Sequence, residues 1–324
     1  MSAAPVTVGW IGMGRMGLAM TRRLLASGTS LHIWNRTPAK AEPLAALGAR
    51  IVDNAADLAG VDVLFTMVAT GKDVEAVLFG AGGAAAGTTA RPRIVVDCSS
   101  ISVEESAALR ARLAAVGSDL VAAPVSGNAK CVAAGKLSVV ASGPKQAFDT
   151  VRPLIETFAG RGVSYVGEGE RARICKIAHN VLLGVVIQNL AEITILAEKI
   201  GVPRHAFLDF INNSVMGSTF TRYKSNALVN LDWTTTFTPA LLTKDLDLGL
   251  AAAHANDVAM PVAAATREAL QAHFGAARSK RDPQAYLGLD FAALLETVAL
   301  NAGMTLVSEE VAVPTGLEVA DGVA

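Results

Sequence analysis

The heptapeptide Ile11-Gly12-Met13-Gly14-Arg15-Met16-Gly17 constrains this chain more than any other stretch. Its G-x-G-x-x-G spacing follows an apolar run at residues 6–11 and opens a helical pattern at residues 17–27. In such a strand-turn-helix the first glycine permits a tight turn, the second lets a pyrophosphate approach the backbone, and the third lets helix and strand pack closely. The amides of the helix N-terminus then face the anion. Gly12, Met13, Gly14, Arg15, Met16 and Gly17 are therefore the expected dinucleotide cradle.

Around this motif, short Val/Ile/Leu runs alternate with helical stretches. Residues 6–11, 31–34, 61–68, 94–97, 120–122 and 137–141 read as strands, with a short last one at 164–166. Residues 17–27, 38–47, 72–79, 103–116 and 145–157 read as helices. Such alternation builds a parallel sheet covered on both faces. Past Gly169 the period becomes helical, over residues 172–200, 243–256, 262–274 and 290–300. Residues 275–285 read as an exposed loop, and no core pattern is legible from about 305 onward. The expectation is an α/β protein: a Rossmann-type, doubly wound N-terminal domain (1–165), an all-α domain (166–304) and a tail (305–324).

Charge and cysteine usage narrow the function classes. Lys and Arg number 28 against 29 Asp and Glu, a net charge of -1, so no basic field for nucleic acid or an anionic lipid surface is expected. Hydrophobic residues are 52% and charged residues 18%, the composition of an ordered chain. Mean hydropathy is +0.40, yet the longest uninterrupted apolar run, 181–187, stops at Gln188 and Asn189, so no membrane span is expected. Neither a secretory signal nor CxxC spacing among Cys98, Cys131 and Cys175 is present, which points to a reducing cytoplasm without disulfides or a bound metal.

Two polar sites carry the chemistry. The second strand ends in Trp34-Asn35-Arg36-Thr37, where an NAD binder usually places a carboxylate for the ribose hydroxyls. Here Arg36 supplies a planar cation and Asn35 and Thr37 supply donors, a set suited to a 2′-phosphate, so NADP(H) is preferred and NAD(H) remains possible. Lys176 lies four residues before Asn180 on one helix face. The apolar residues Ile174, Ile177, Ala178, Val181 and Leu182 around it predict a largely buried segment, in which an ammonium needs a partner or a purpose. Proton transfer is the purpose expected.

These residues match a known pattern. The chain resembles the β-hydroxyacid dehydrogenases over nearly its whole length: GMGRMGLAM (12–20) is similar to the family's cofactor signature, PVSGNAKCVAAGKL (124–137) to its substrate loop, KIAHN (176–180) to its catalytic KxxxN element, and Lys244-Asp245 to a second cofactor-side pair. The resemblance implies that Ser126 and Gly127 hold a substrate carboxylate and that Asn180 orients the hydroxyl or carbonyl. It further implies that Met67 and Val68 line the dinucleotide groove, that Ser100 lies beside the nicotinamide, and that Lys244 reaches toward the cofactor. An active site in the cleft between domains and a homodimer or homotetramer built through the helical domain are likewise implied. Three departures stand out: Asn128 replaces a glycine and adds a polar handle at the substrate position, Glu170 and Ala172 stand where relatives carry glycine, and His179 replaces an asparagine. The expected activity is NADP-dependent interconversion of a small β-hydroxy acid and its aldehyde or keto form, with Lys176 as general acid and base. An imine reductase, which tends to carry Asp or Tyr where Lys176 stands, and a catalytically silent dinucleotide-dependent interaction module are the alternatives.

Overall fold

A computed structural model describes residues 6–87 and 90–318. Strands β1 (Val8–Ile11), β2 (Leu31–Trp34), β3 (Arg50–Ile51), β4 (Val63–Thr66), β5 (Ile94–Asp97) and β6 (Asp119–Ala122) form one sheet in the order β3-β2-β1-β4-β5-β6. Every pairing in it is parallel. The chain reverses its direction of growth between β1 and β4, and ligands of open α/β sheets bind outside the carboxyl ends of the strands at such a switch point.

Why the strands read as unbroken apolar runs follows from the two faces they cover. Val63 and Phe65 enter one core cluster with Met20 and Leu24 of helix α1 (Arg15–Ala26), whereas Leu64 enters another with Leu78 of α2 (Gly71–Phe79) and Leu109 and Leu113 of α3 (Val103–Ala115). Alternate side chains thus bury on opposite sides, and no face is left for polar residues.

Residues 137–141 and 164–166 do not extend the parallel sheet. They fall in a second, three-stranded sheet, β7 (Val125–Ser126), β8 (Ser138–Ala141) and β9 (Gly162–Tyr165), in which β7 and β8 are antiparallel and β8 and β9 parallel. Between β7 and β8 the chain makes only the short helix α4 (Ala129–Ala133), which suits an antiparallel return rather than a parallel crossover of about a dozen residues or more. Helix α5 (Lys145–Glu156) joins β8 to β9. Residues 38–47 form two 3-10 turns, Pro38–Lys40 and Glu42–Leu47, in place of one α-helix. Pro38 and Pro43 each open a turn, and neither supplies the N–H that a continuous helix requires.

The rest is helical: α6 (Arg171–Lys199), α7 (Arg204–Asn213), α8 (Thr219–Asn230), α9 (Pro239–His254), α10 (Pro261–Ala277), α11 (Pro283–Leu287) and α12 (Leu294–Asn301). The chain divides into two compact units, Met1–Lys176 and Ile177–Ala324. By length and composition α6 could cross a membrane, contrary to the expectation from uninterrupted apolar runs, since Gln188 and Asn189 only dilute its hydropathy. However, 56% of its most apolar window is buried, and a core helix passes the same test.

Helices α7 and α8 have no counterpart in the periodicity of the sequence. Their Asn, Thr, Ser and Phe content is poor in helix formers; capping and packing supply what propensity lacks. Ser218 and Thr221 form a capping box on α8, and Leu208, Leu228 and Val229 are buried in the core of the second unit. The loop expected at 275–285 is also partly helical. Ala277 ends α10 fully buried, and Asp282 caps α11, whose Tyr286 is buried. Nor is the tail without a core: Leu306, Val311 and Val313 pack on the second unit's cluster, and Leu317 is buried. An extended segment has no helical period, so pattern alone misses it. Glu309 in this segment accepts the backbone N–H groups of Arg204 and His205 at 2.8 and 2.9 Å, closing the N-terminus of α7. Partial burial pushes its carboxyl up, but these bonds and that of the His205 side chain outweigh it and hold the group below the ordinary carboxylate value.

Candidate dinucleotide and active site

The carboxyl ends of β1, β2 and β4 converge on a cavity of about 460 Å³. It is lined by Gly12, Gly14, Arg15, Met16 and Gly17 from the first turn, by Asn35, Arg36 and Thr37 after β2, and by Met67 and Val68 after β4. Ten of the expected cofactor residues are therefore gathered at one place.

Local chemistry explains the glycines. Gly12 has φ of 103°, and a Cβ there would lie 2.2 Å from the carbonyl oxygen of Met67. At Gly17 a Cβ would lie 1.9 Å from the Gly12 carbonyl oxygen, which already accepts the Trp10 indole N–H at 3.1 Å. Beside Gly14 there is open space. Gly14 is the N-cap of α1, no side chain caps that helix, and no acidic residue occupies its first turn. Uncapped amides, the positive end of a twelve-residue helix and an open approach together fit a pyrophosphate.

The β2 end is arranged differently from expectation in one respect. The Asn35 amide is engaged with the backbone: Oδ1 accepts Met13 N–H at 2.8 Å and Nδ2 donates to Thr37 O at 2.8 Å. Asn35 therefore shapes the two loops as well as lining the cavity, and Met13 contributes a buried side chain to the core and lies outside the cavity lining. Arg36 is 87% exposed and 3.7 Å from Asp73. Lys40, Ala69, Asp73 and Val77 also line the cavity and were not foreseen. A signal for Asp73 existed in Thr70, three residues before it, whose Oγ1 caps α2 through Asp73 N–H.

Ser100 is exposed just past β5, Ser126 and Asn128 are half-buried, and Gly127 is exposed; none of these lines the cavity. Asn128 has a structural use that its departure from the family pattern did not reveal. Its Oδ1 accepts Cys131 N–H at 3.0 Å and caps α4. Lys176 is half-buried. Its segment is more open than the apolar neighbours suggested, with Ile174 56% and Leu182 61% exposed, because only one stripe of this part of α6 is buried.

Asn180 and Lys244 lie in the second unit. Asn180 is buried; Nδ2 donates to Asp245 Oδ2 at 2.6 Å, and Oδ1 lies 2.9 Å from His179 Nδ1. A carboxylate only accepts, so the amide nitrogen faces Asp245, the amide oxygen faces His179, and His179 Nδ1 carries the proton. Lys244 Nζ is 3.7 Å from Asp245 Oδ1.

Sequence reasoning also missed a buried network at the start of α6. Arg173, fully buried, pairs with Asp97, and Arg110 pairs with Glu170 at 2.6 Å. The departures at Glu170 and Ala172 belong to this network: Arg110 also donates to Gly169 O, and Ala172 N–H donates to Ser142 Oγ. Among the described residues no group of three or more His, Cys, Asp or Glu could hold a metal ion, and Cys98, Cys131 and Cys175 are free thiols.

Comparison with known proteins agrees with this geometry. Residues 7–167 match the NAD binding domain of 6-phosphogluconate dehydrogenase, and residues 170–290 match the NAD-binding region of NADP-dependent 3-hydroxyisobutyrate dehydrogenase. The chain is 30% identical to the 2-hydroxy-3-oxopropionate reductase of Escherichia coli over 81% of its own length and 89% of that protein's. A solved 3-hydroxyisobutyrate dehydrogenase from Salmonella typhimurium superposes with a TM-score of 0.77 at 28% identity, covering 90% of this chain and 99% of that one. The structure of Psf3 in complex with NADP+ and 2-OPP gives a TM-score of 0.76 at 26% identity, covering 90% and 100%. This chain belongs to the β-hydroxyacid dehydrogenase family. It is a nicotinamide dinucleotide-binding oxidoreductase of the 3-hydroxyisobutyrate dehydrogenase type.

Proposed function

We propose that the protein is an NADP-dependent dehydrogenase or reductase of a small carboxylate bearing a hydroxyl or an aldehyde. The observation that carries the cofactor reading is the uncapped N-terminus of α1, opening into a cavity that also holds Arg36, Thr37 and Lys40 and lacks a carboxylate at the end of β2. Gly12, Gly14 and the α1 amides would hold the pyrophosphate, and Arg36 and Thr37 a 2′-phosphate. The substrate class rests on the relatives, whose names denote short hydroxy acids and an oxo acid.

Bound there, the dinucleotide would supply the hydride in reduction and accept it in oxidation. Lys176 supplies the proton. In reduction its ammonium donates to the substrate oxygen as negative charge develops there, and in oxidation the neutral amine takes the hydroxyl proton; such help is worth about a hundred- to ten-thousandfold in rate. Ser126 and Gly127 accommodate the carboxylate, with Asn128 beside them. Asn180 has one amide hydrogen left after Asp245 is satisfied, and this orients the reacting oxygen. Ser100 would complete the cofactor side, and the family resemblance assigns Lys244 a cofactor contact as well. The exposed apolar side chains Leu196, Phe210, Val215 and Met216 support a homo-oligomer.

The test is steady-state turnover of a panel of short aldehydes, keto acids and imines with NADPH and NADH. Reduction of carboxylate-bearing aldehydes with NADPH is expected, and Lys176→Ala should keep NADPH binding while losing at least about a hundredfold in kcat. Nucleotide binding without turnover of any carbonyl would refute the proposal, and turnover of imines alone would move the protein to another class.

A further inference from the structure

We infer that Arg173 is the positioning residue that fixes Lys176 relative to the loops after β4 and β5, the first of which lines the dinucleotide cavity; this rests on the proton-transfer reading of Lys176. Arg173 lies three residues before Lys176 in α6, within one helical turn of it. Its guanidinium is 1% exposed, and each nitrogen is engaged. Nη2 donates to Asp97 Oδ2 at 2.5 Å, Nη1 to Ser99 O at 2.6 Å, and Nε to Ser106 Oγ at 3.2 Å.

What those partners hold gives the inference its direction. Asp97 ends β5, and its Oδ1 accepts Thr66 Oγ1 at 2.7 Å and Ser99 N–H at 3.2 Å. Ser99 Oγ in turn accepts Val68 N–H at 3.0 Å. Val68 lines the dinucleotide cavity, and Ser100 follows Ser99 in the chain. One guanidinium therefore ties the turn before Lys176 to the loops after β4 and β5. A buried ion pair is weak evidence for stability, because desolvation offsets most of its attraction. What a planar, multidentate fork provides is a defined direction, and a lysine in its place reaches fewer of these acceptors. Arg110, through Glu170 Oε1 and Gly169 O, holds the residues just before α6 from another side, so the turn has little freedom to drift.

Arg173→Lys keeps a charge for Asp97 but loses the fork. Expected are an NADPH affinity within about threefold of the parent and a kcat lowered by about a hundredfold, the cost of a displacement near 1 Å. The solvent deuterium isotope effect on kcat should rise, because proton transfer becomes more rate-limiting. A second readout needs no turnover: the rate at which Lys176 in the ligand-free chain reacts with an amine-selective reagent, followed by peptide mass spectrometry across pH, should change in the variant. A folded Arg173→Lys with kcat within about twofold of the parent and unchanged labelling would overturn the inference. So would parallel loss of kcat, NADPH affinity and melting temperature with no rise in the isotope effect, the signature of a purely structural role. If Arg173→Lys does not fold, Ser106→Ala removes only the Nε contact. It should still lower kcat by about fivefold with the same isotope signature, and an unaltered kcat would overturn the inference equally. A wild-type chain that turns over no carbonyl would instead remove the reading of Lys176, and the labelling comparison separates that failure from this one.

Discussion

His273 on α10 offers a quantitative test of the second unit. Its ring is fully buried; Nδ1 meets Thr297 Oγ1 at 2.8 Å, Nε2 has no hydrogen-bond partner among the described residues, and the Tyr286 ring lies 5.1 Å away. Burial pulls the imidazole from its ordinary value of 6.5 down to about 4; Glu296 opposes this, and Lys280 adds to it. The native state thus excludes a proton that the unfolded chain takes up below pH 6.5. Stability rises with pH wherever the unfolded state binds more protons, so it falls as the solution is acidified from 6.5 toward 4 and then levels off. At about 1.36 kcal/mol per pH unit the loss is about 3 kcal/mol. Urea unfolding of the wild type and His273→Leu, measured from pH 7.5 to 4, should give a difference that shrinks by this amount over that window. The variant adds only a pH-independent offset for its altered packing and lost Thr297 contact. Carboxylates held low, such as Glu296 and Glu309, act below their unfolded value of 4.5 and leave most of the window clear. Two curves that stay parallel from pH 7.5 to 4 would refute the reasoning.

Two further outcomes follow from the first unit. Arg36→Asp should shift cofactor preference toward NADH by about tenfold or more, since a charge-assisted bond to the 2′-phosphate contributes about 1.5–3 kcal/mol; titration of nucleotide fluorescence with each cofactor reads this directly. Asn128→Ala should lower stability by about 1 kcal/mol through loss of the α4 cap, whereas Asn128→Gly should cost only a few tenths; unfolding midpoints of the two variants distinguish this from a role confined to substrate contact.

The glycine motif made the fold legible because three backbone requirements, a positive φ and two close approaches, exclude almost every other residue at Gly12 and Gly17. Burial on two faces made the four-residue strands of the parallel sheet equally plain as apolar runs, whereas the two-residue strands β3 and β7 are too short to leave a pattern. By contrast, α7 depends on Glu309, more than a hundred positions away, and no local window contains that information. Ten expected residues line the cavity, but Lys40, Ala69 and Val77 carry no local signature, and the engagement of Asn35 by Met13 N–H is a tertiary contact between two loops. In the sequence Arg173 is one charge among several at the start of a helix. Only folding brings Asp97, Ser99 and Ser106 around it, so its importance is a property of topology.

The closure of α7 by Glu309 sets an order of events during synthesis. Arg204 and His205 leave the ribosome long before residue 309, and until it follows, the amides at the head of that helix can only be met by water. The second unit therefore finishes assembling late, while the nucleotide-binding half has had its complete sheet for some time. Mutations or premature stops near the 3′ end of the message should accordingly damage folding yield out of proportion to their distance from the chemistry.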